Sequence, residues 1–385
     1  MPTTEQQAPQ FARGLEGVIA AETKIGFVDG TLGRLVYRGF DITTLVENSS
    51  FEEVSYLLLY GKLPNKKEYT DFIKKLKKLR ILKNDEYDLI RQIAGKAHPM
   101  SSLRTVVSYI GAKDSRSVEP TVEQQEELGL ELIAKMPTIV GAIHRIHKGH
   151  EIVKPDDSLS ISSDFFYQSL GRKPSDIEAK MLDAALILHA DHGMNASTFS
   201  SMLTISTLSD MYSAVTSAIG TLKGPLHGGA NEKALALIKK VGDPSNAEKI
   251  IGQMIINKEK IMGFGHRVYK VYDPRAKILR EFAGEITKMH GTQRLFETAN
   301  KIEEVMISKL GSRGIFPNVD FYSGILYSSI GFDSEIFTPI FAVSRITGWV
   351  ARSLEYVRDN RLYRPKALYT GESGPFPYVP MDERE

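Results

Sequence analysis

From Ser50 almost to the end of the chain, apolar residues recur at helical rather than alternating spacing, and this regularity limits the fold more than any other feature. In SFEEVSYLLLYG, Phe51, Val54, Leu57 and Leu58 fall on one face, with Ser50 placed as N-cap and Glu53 as the far half of a capping box. Ser175 and Glu178 repeat the device ahead of Ile177, Met181, Ala184, Ala185 and Leu188, an apolar face that runs into His189 and is expected to stop near Gly193. Asp243-Pro244, Asp273-Pro274 and Thr338-Pro339 each place proline at a first helical position, where its missing N–H costs nothing. Gly220, Gly242, Gly291 and Gly311 sit where helices are expected to end. Strand-like runs are confined to KIGFVDGTLGRLVYRGFDI, Lys24 to Ile42, where Asp29-Gly30 and Gly33 suit one small hairpin. The expected class is therefore all-α, multi-helical, with a small N-terminal β-hairpin. A doubly wound sheet would need strands alternating with helices, and that alternation is missing.

A chain of 385 residues exceeds the roughly 250–300 that one core supports, so two domains, or one with an insertion, are expected. With 49 basic and 47 acidic side chains the formal charge is only +2. There is no electrostatic case for nucleic acid or an anionic membrane, although local basic pockets for small anions remain open. Cysteine is absent, which removes disulfides, thiolate metal sites and thiol nucleophiles together. The start, MPTTEQQAPQ, lacks a basic and an apolar region, and no window has the roughly 18 apolar residues of a membrane span, so a cytoplasmic location is expected. GFGHRV lacks the third glycine of a dinucleotide fingerprint and follows a helical segment.

The polar residues in unusual settings are few. His189 and His192 in HADHGMNAST, His227 in GPLHGGAN and His266 in GFGHRVYKVYDPRA lie near glycines, which add no packing but allow close ligand approach. His227 precedes ANEKALALIKK, so it is expected near a helix N-terminus, where positive charge is disfavoured and a neutral ring can polarise a carbonyl. An N-cap with a glycine turn fits that segment equally well. His266, Arg267, Lys270 and Arg275 gather positive charge around a helix start, which suits carboxylates or phosphates, or else forms a solvated basic loop. Arg345 sits among Phe341, Val343, Ile346 and Trp349, and a guanidinium buried there must face an internal or a bound carboxylate. Asp320 in FPNVDFYSG has apolar neighbours, so a raised pKa suited to abstracting a proton from carbon is expected, with helix capping as the alternative. HRIHKGH spaces His144, His147 and His150 by threes ahead of Glu151, yet lacks the HExxH pattern, and Lys148-Gly149 suggests a frayed, solvated helix end. No metal site is expected.

HADHGMNAST, GPLHGGAN, GFGHRVYKVYDPRA, NVDFYSG, FAVSR and RPKA, in this order from Leu188 to Tyr369, together resemble the citrate synthase family. GLEGV and the hairpin resemble its short prokaryotic form. The resemblance implies an all-α two-domain fold: residues 1–223 and 329–385 as a large dimerising domain, residues 224–328 as an inserted small domain carrying much of the coenzyme A site. It implies a homodimeric acyltransferase of the tricarboxylic acid cycle that condenses acetyl-CoA with oxaloacetate and water, giving citrate and CoA. No metal or cofactor is implied, the coenzyme A thioester being a substrate. Position by position, His227 resembles the donor to the thioester oxygen, Asp320 the base that takes a methyl proton, and His266 the donor to the oxaloacetate carbonyl. His192, Arg275 and Arg345 match oxaloacetate ligands, and Arg364 in RPKA matches an arginine that reaches in from the partner subunit. Ile261, Met262, Gly263, Phe264 and Gly265 resemble the loop that meets the adenine, with Asn318 beside it and Lys270 at a phosphate-binding position. HADHGMNAST is one residue shorter than its counterpart in longer relatives, which leaves the role of Asn195 open. 2-Methylcitrate synthase, using propionyl-CoA, shares the catalytic residues, and one methylene discriminates by only about 1–3 kcal/mol. A silent binder of acyl-CoA or dicarboxylates would be expected to lack His227, His266 or Asp320, and all three are present.

Overall fold

The computed structural model describes residues 11–385; the polar stretch 1–10, part of the argument against a targeting segment, lies outside them. Three short strands open the fold, β1 (Gly26–Asp29), β2 (Arg34–Tyr37) and β3 (Phe40–Asp41), antiparallel in the order β1-β2-β3. The register runs from Gly26↔Tyr37 to Asp29↔Arg34 and continues with Val36↔Asp41. The expected hairpin thus gains a third strand, because the turn at Arg38 and Gly39 folds Phe40 back onto β2.

Sixteen α-helices follow among the described residues. They are α1 (Ile42–Asn48), α2 (Phe51–Tyr60), α3 (Lys66–Leu79), α4 (Asn84–Ile93), α5 (Pro99–Ala112), α6 (Val122–His147), α7 (Ile161–Leu170) and α8 (Asp176–His189). After these come α9 (Ala196–Ile205), α10 (Met211–Leu222), α11 (Ala230–Val241), α12 (Ala247–Ile256), α13 (Pro274–Met289), α14 (Gln293–Leu310), α15 (Val319–Ile330) and α16 (Phe337–Val357). The all-α expectation holds. Helix α16 is buried along nearly its whole length and packs against α6, α8, α9, α10 and α2, with Trp349 at the centre. Helices α11 to α15 pack on one another, and α13 also meets α1 and α8.

Local chemistry explains most boundaries. Ser175 and Glu178 close a full capping box on α8, and Asp273 caps α13 with Pro274 as its first residue. Three expectations need correction, and a fourth holds only in part. The Ser50 side chain accepts from the Glu53 amide, but the Glu53 carboxylate is taken by the Ser49 hydroxyl at 2.5 Å, so only half the box forms. Gly220 lies inside α10, which continues to the buried Leu222 and ends ahead of Gly224-Pro225. Thr338-Pro339 falls within the first turn of α16, since a 3-10 turn at Ser334–Ile336 starts the helix earlier and Thr338 instead donates to Glu232. HRIHKGH does end a helix, α6, with Lys148, Gly149 and His150 exposed, but its first two histidines are held: His144 is buried and meets Asp333, His147 meets Glu335, and no metal-holding cluster occurs among the described residues.

One buried ion pair ties these parts together. Arg352 of α16 donates from Nε and Nη2 to the two carboxylate oxygens of Asp191, both at 2.8 Å, with neither side chain exposed above 2%. Tyr37 of β2 donates to the Asp191 carbonyl at 2.7 Å, and a Cβ on Gly26 would lie 2.6 Å from Asp191 Oδ2. Gly348 lets α16 approach equally closely, its amide donating to the Ala190 carbonyl at 3.1 Å. Burial alone would push the Asp191 carboxyl up, yet Arg352 and Arg345 hold it below the usual carboxylate range. Asp191→Asn leaves a buried guanidinium uncompensated and is expected to cost about 3–5 kcal/mol. Urea unfolding would show this as a lower midpoint; an unshifted midpoint would rule the pair out as the anchor.

Candidate active site

The loop Ala190 to Asn195 between α8 and α9 presents His192, because its two ends are fixed. Asp191 is held by Arg352, and Asn195 is the N-cap of α9, its Oδ1 accepting from the Thr198 amide at 3.1 Å. Asn195 Oδ1 also lies 2.8 Å from the Ser197 hydroxyl oxygen, and its capping role gives the residue left open by the sequence a clear structural task. Ser197 in turn reaches His227: its amide donates to His227 Nε2 at 3.2 Å, and its hydroxyl lies 2.7 Å from the same nitrogen. Trp349 Nε1 donates to that hydroxyl at 3.1 Å.

His227 sits in a turn where Gly228 is obligatory, since a Cβ there would lie 2.1 Å from the Leu222 carbonyl oxygen. Gly229, with φ 74°, caps α11. An Nε2 that accepts an amide proton leaves the neutral ring's hydrogen on Nδ1. Burial, followed by the nearby Arg345 charge, lowers the His227 pKa to about 4. The expected neutrality holds, but its leading cause is desolvation rather than the helix dipole.

His266 is fixed in the opposite sense. Its Nδ1 accepts from the Val268 and Tyr269 amides at 3.0 and 3.1 Å, so Nε2 carries the hydrogen. Burial, then Arg275, brings its pKa to about 4. Its ring lies 5.1 Å from that of His192, whose pKa falls well below the ordinary value through burial, Arg275, His266 and Arg345.

Two arginines supply charge of different kinds. Arg275, buried at the start of α13, is clamped by Asp273 through Nε at 3.0 Å and Nη2 at 2.8 Å. Burial opposes its charge, but Asp273 holds its pKa above the usual value. Arg345 donates from Nε to the His189 carbonyl at 2.6 Å and lies 4.6 Å from the Phe341 ring centroid. It pairs with no carboxylate among the described residues. Burial pushes its pKa down to about 10, so it stays charged at neutral pH and calls for an anion. Asp320, the second residue of α15, feels both arginines and Asp273, yet burial dominates and lifts its pKa to about 6.

The loop ahead of α13 is less open than the sequence suggests. Gly263 and Gly265 both take positive φ, at 85° and 79°, and Phe264 bridges to Pro317. Asn318 spends both ends of its amide internally, accepting from the Asp320 amide at 3.0 Å and donating to the Gly265 carbonyl at 2.9 Å. Ile261 and Phe264 are buried, Met262 is half-buried and Lys270 is exposed. Arg364 lies on the extended segment after α16, exposed and without a hydrogen bond or ion pair to any described residue. Asp273, Ser197, Asp191 and Arg352 were missed as site residues, although Asp273-Pro274-Arg275 carried a signal: a capping aspartate two residues before an arginine can turn both functions on one guanidinium. Because burial depresses His227 and His266, 15N spectra of histidine-labelled protein are expected to show both rings neutral on acidification until pH approaches about 4. A midpoint near the free-histidine value of about 6.5 would refute this.

The chain matches the family model described as citrate synthase, C-terminal domain, over residues 14–366. A citrate synthase of Deinococcus radiodurans is 45% identical over 375 residues, covering 97% of this chain and 99% of that one. A 2-methylcitrate synthase of Shewanella oneidensis is 39% identical over 372 residues, covering 96% and 97%. Among solved structures, citrate synthase of Thermoplasma acidophilum in a ternary complex with carboxymethyl coenzyme A and oxaloacetate superposes with TM-score 0.93 at 37% identity, covering 98% of this chain and 100% of that one.

Proposed function

The chain belongs to the citrate synthase family, and from that membership we propose that it condenses acetyl-CoA with oxaloacetate and water to give citrate and CoA, a C–C bond-forming acyl transfer. What carries the residue assignment is a pair of neutral imidazoles, each with its N–H at a fixed atom, beside a carboxyl group with a pKa near 6. A thioester methyl is a weak carbon acid, so its proton leaves only if the developing enolate oxygen is met at the same moment. Asp320 takes the methyl proton while His227 donates from Nδ1 to the thioester oxygen. The enol carbon then attacks the oxaloacetate carbonyl, whose oxygen receives a hydrogen bond from His266 Nε2. Water finally cleaves the citryl thioester, releasing citrate and CoA.

Neutral rings donate without surrendering charge, which suits an oxygen that only becomes basic in the transition state. Arg345, which pairs with no described carboxylate, and Arg275 hold the oxaloacetate carboxylates, with His192 alongside. The exposed Arg364 completes the set from the partner subunit of a homodimer. That arrangement is supported by the apolar side chains left uncovered on a single chain, Leu362, Leu368, Tyr369, Phe376 and Tyr378, all on the segment that bears Arg364. Coenzyme A lies along Ile261 to Gly265, with Asn318 bracing that loop and Lys270 toward a phosphate. Residues 224–328 form the inserted domain, and oxaloacetate bridging Arg275 and Arg345 draws it onto the remainder. No metal or cofactor takes part, and the protein is cytoplasmic; no described helix is long and apolar enough to cross a membrane.

Thiol release measured with acetyl-CoA and with propionyl-CoA, each with oxaloacetate and a chelator, tests the assignment. Faster release from acetyl-CoA is expected; a propionyl preference would make the protein a 2-methylcitrate synthase, and release from neither would refute the family chemistry here. Asp320→Ala is expected to lower turnover by about 10²–10⁴. Because Asp320 acts as a base only when ionised, turnover should fall with decreasing pH through its pKa of about 6; a flat profile from pH 7 to 5 would exclude Asp320 as the base. Small-angle scattering should show compaction on saturating with oxaloacetate, and an unchanged radius of gyration would exclude ligand-driven closure.

A further inference from the structure

We propose that Tyr269 is a positioning residue that sets the tautomers of both His192 and His266, through its hydroxyl for the first and its backbone amide for the second. The inference rests on the reading that these two histidines face oxaloacetate. Tyr269 is only 1% exposed, and a phenol so buried needs an acceptor for its proton. Among the described residues its hydroxyl has one hydrogen-bond partner, His192 Nε2, at 3.3 Å. The phenol therefore donates and Nε2 accepts, which places the hydrogen of a neutral His192 on Nδ1. On the other side, the Tyr269 amide donates to His266 Nδ1 at 3.1 Å, seconded by Val268 at 3.0 Å, and drives that ring's hydrogen to Nε2.

The three rings form one packed unit. Tyr269 lies 5.5 Å from His192 and 4.8 Å from His266 between centroids, with the histidines 5.1 Å apart. No other described side chain or amide meets His192 Nε2, and the ring's other hydrogen bond is to its own backbone, so removing the phenol weakens the hold on the tautomer. A lone pair turned toward a dicarboxylate repels it, whereas an N–H binds it. The predicted cost thus falls on oxaloacetate and not on the thioester, whose donor His227 is held separately by Ser197.

Tyr269→Phe keeps the aromatic ring and the amide that serves His266, and deletes only the hydroxyl. The expected result is a KM for oxaloacetate raised about five- to tenfold, the scale of one lost hydrogen bond, with kcat and the KM for acetyl-CoA within about twofold and the thermal midpoint unchanged. An unaltered oxaloacetate KM would overturn the proposal, as would an equal loss across kcat and both KM values. A second measurement needs no catalysis: 15N spectra of wild-type protein, with His192 assigned by comparison with folded His192→Gln. His192 is expected to be protonated at Nδ1 and His266 at Nε2, and a proton on His192 Nε2 would overturn the proposal. Thiol release by the wild type in the same assay separates the two questions, because its absence would refute the functional reading while leaving the tautomer assignment to the spectra.

Discussion

The buried pair of Asp191 and Arg352 is the contact on which the site depends. Arg352 stands seven residues along α16 from Arg345, so the residue that anchors the helix and the residue that offers charge to a ligand share one rigid element. Asp191 immediately precedes His192, so the same carboxylate fixes the loop that presents that ring. Tyr37 and Gly26 bring the small sheet onto the far side of the pair, which explains why an otherwise helical chain keeps three short strands. A desolvated ion pair adds little net stability when compared with apolar packing, but once made it admits no alternative geometry nearby, because breaking it strands a charge.

That fixed geometry has an electrostatic result. Within the site, Asp273 compensates Arg275 and Asp191 compensates Arg352, while Arg345 forms an ion pair with no carboxylate among the described residues. While Asp320 is protonated the surplus is one positive charge in a poorly solvated space, and above about pH 6 the ionised Asp320 offsets it. The Arg345 charge disfavours protonation of His192 and His227, adding to desolvation, and pulls the Asp320 pKa back toward the carboxylate range against burial. Burial and arginine charge thus cooperate on the imidazoles and oppose each other on the carboxyl group. The outcome is a base that ionises near pH 6 beside donors that remain uncharged, the combination that carbon-acid chemistry needs.

The sheet turn adds a link between distant parts. Lys270 donates its amide to the Gly30 carbonyl at 3.1 Å, and any side chain on Gly30 would collide with the Val268 carbonyl. The turn therefore rests on the loop that carries His266 and Tyr269, and the strands help to position chemistry assigned to helices and loops.

Helix positions and the all-α class were legible in the chain because capping residues and helical spacing act within a few residues of one another. Ser175 and Glu178 meet across one turn, as do Asp273 and Arg275, so their pairing needs nothing from the rest of the fold. Boundaries failed where a distant residue intervened: α10 runs through Gly220 because Leu222 is buried, and α16 begins before Thr338 because a 3-10 turn leads into it. Protonation states were equally non-local. Whether His227 holds its hydrogen on Nδ1 depends on Ser197, thirty residues away in the chain, and whether it is neutral depends on burial and Arg345. Sequence by itself determined which groups were available and where helices would start, since those follow from short-range hydrogen bonding. Tertiary structure alone decided which ring nitrogen carried the hydrogen, that no described carboxylate meets Arg345, and how far burial lifts the Asp320 carboxyl that its apolar neighbours had marked, because desolvation and Coulomb energy depend on what is nearby in space.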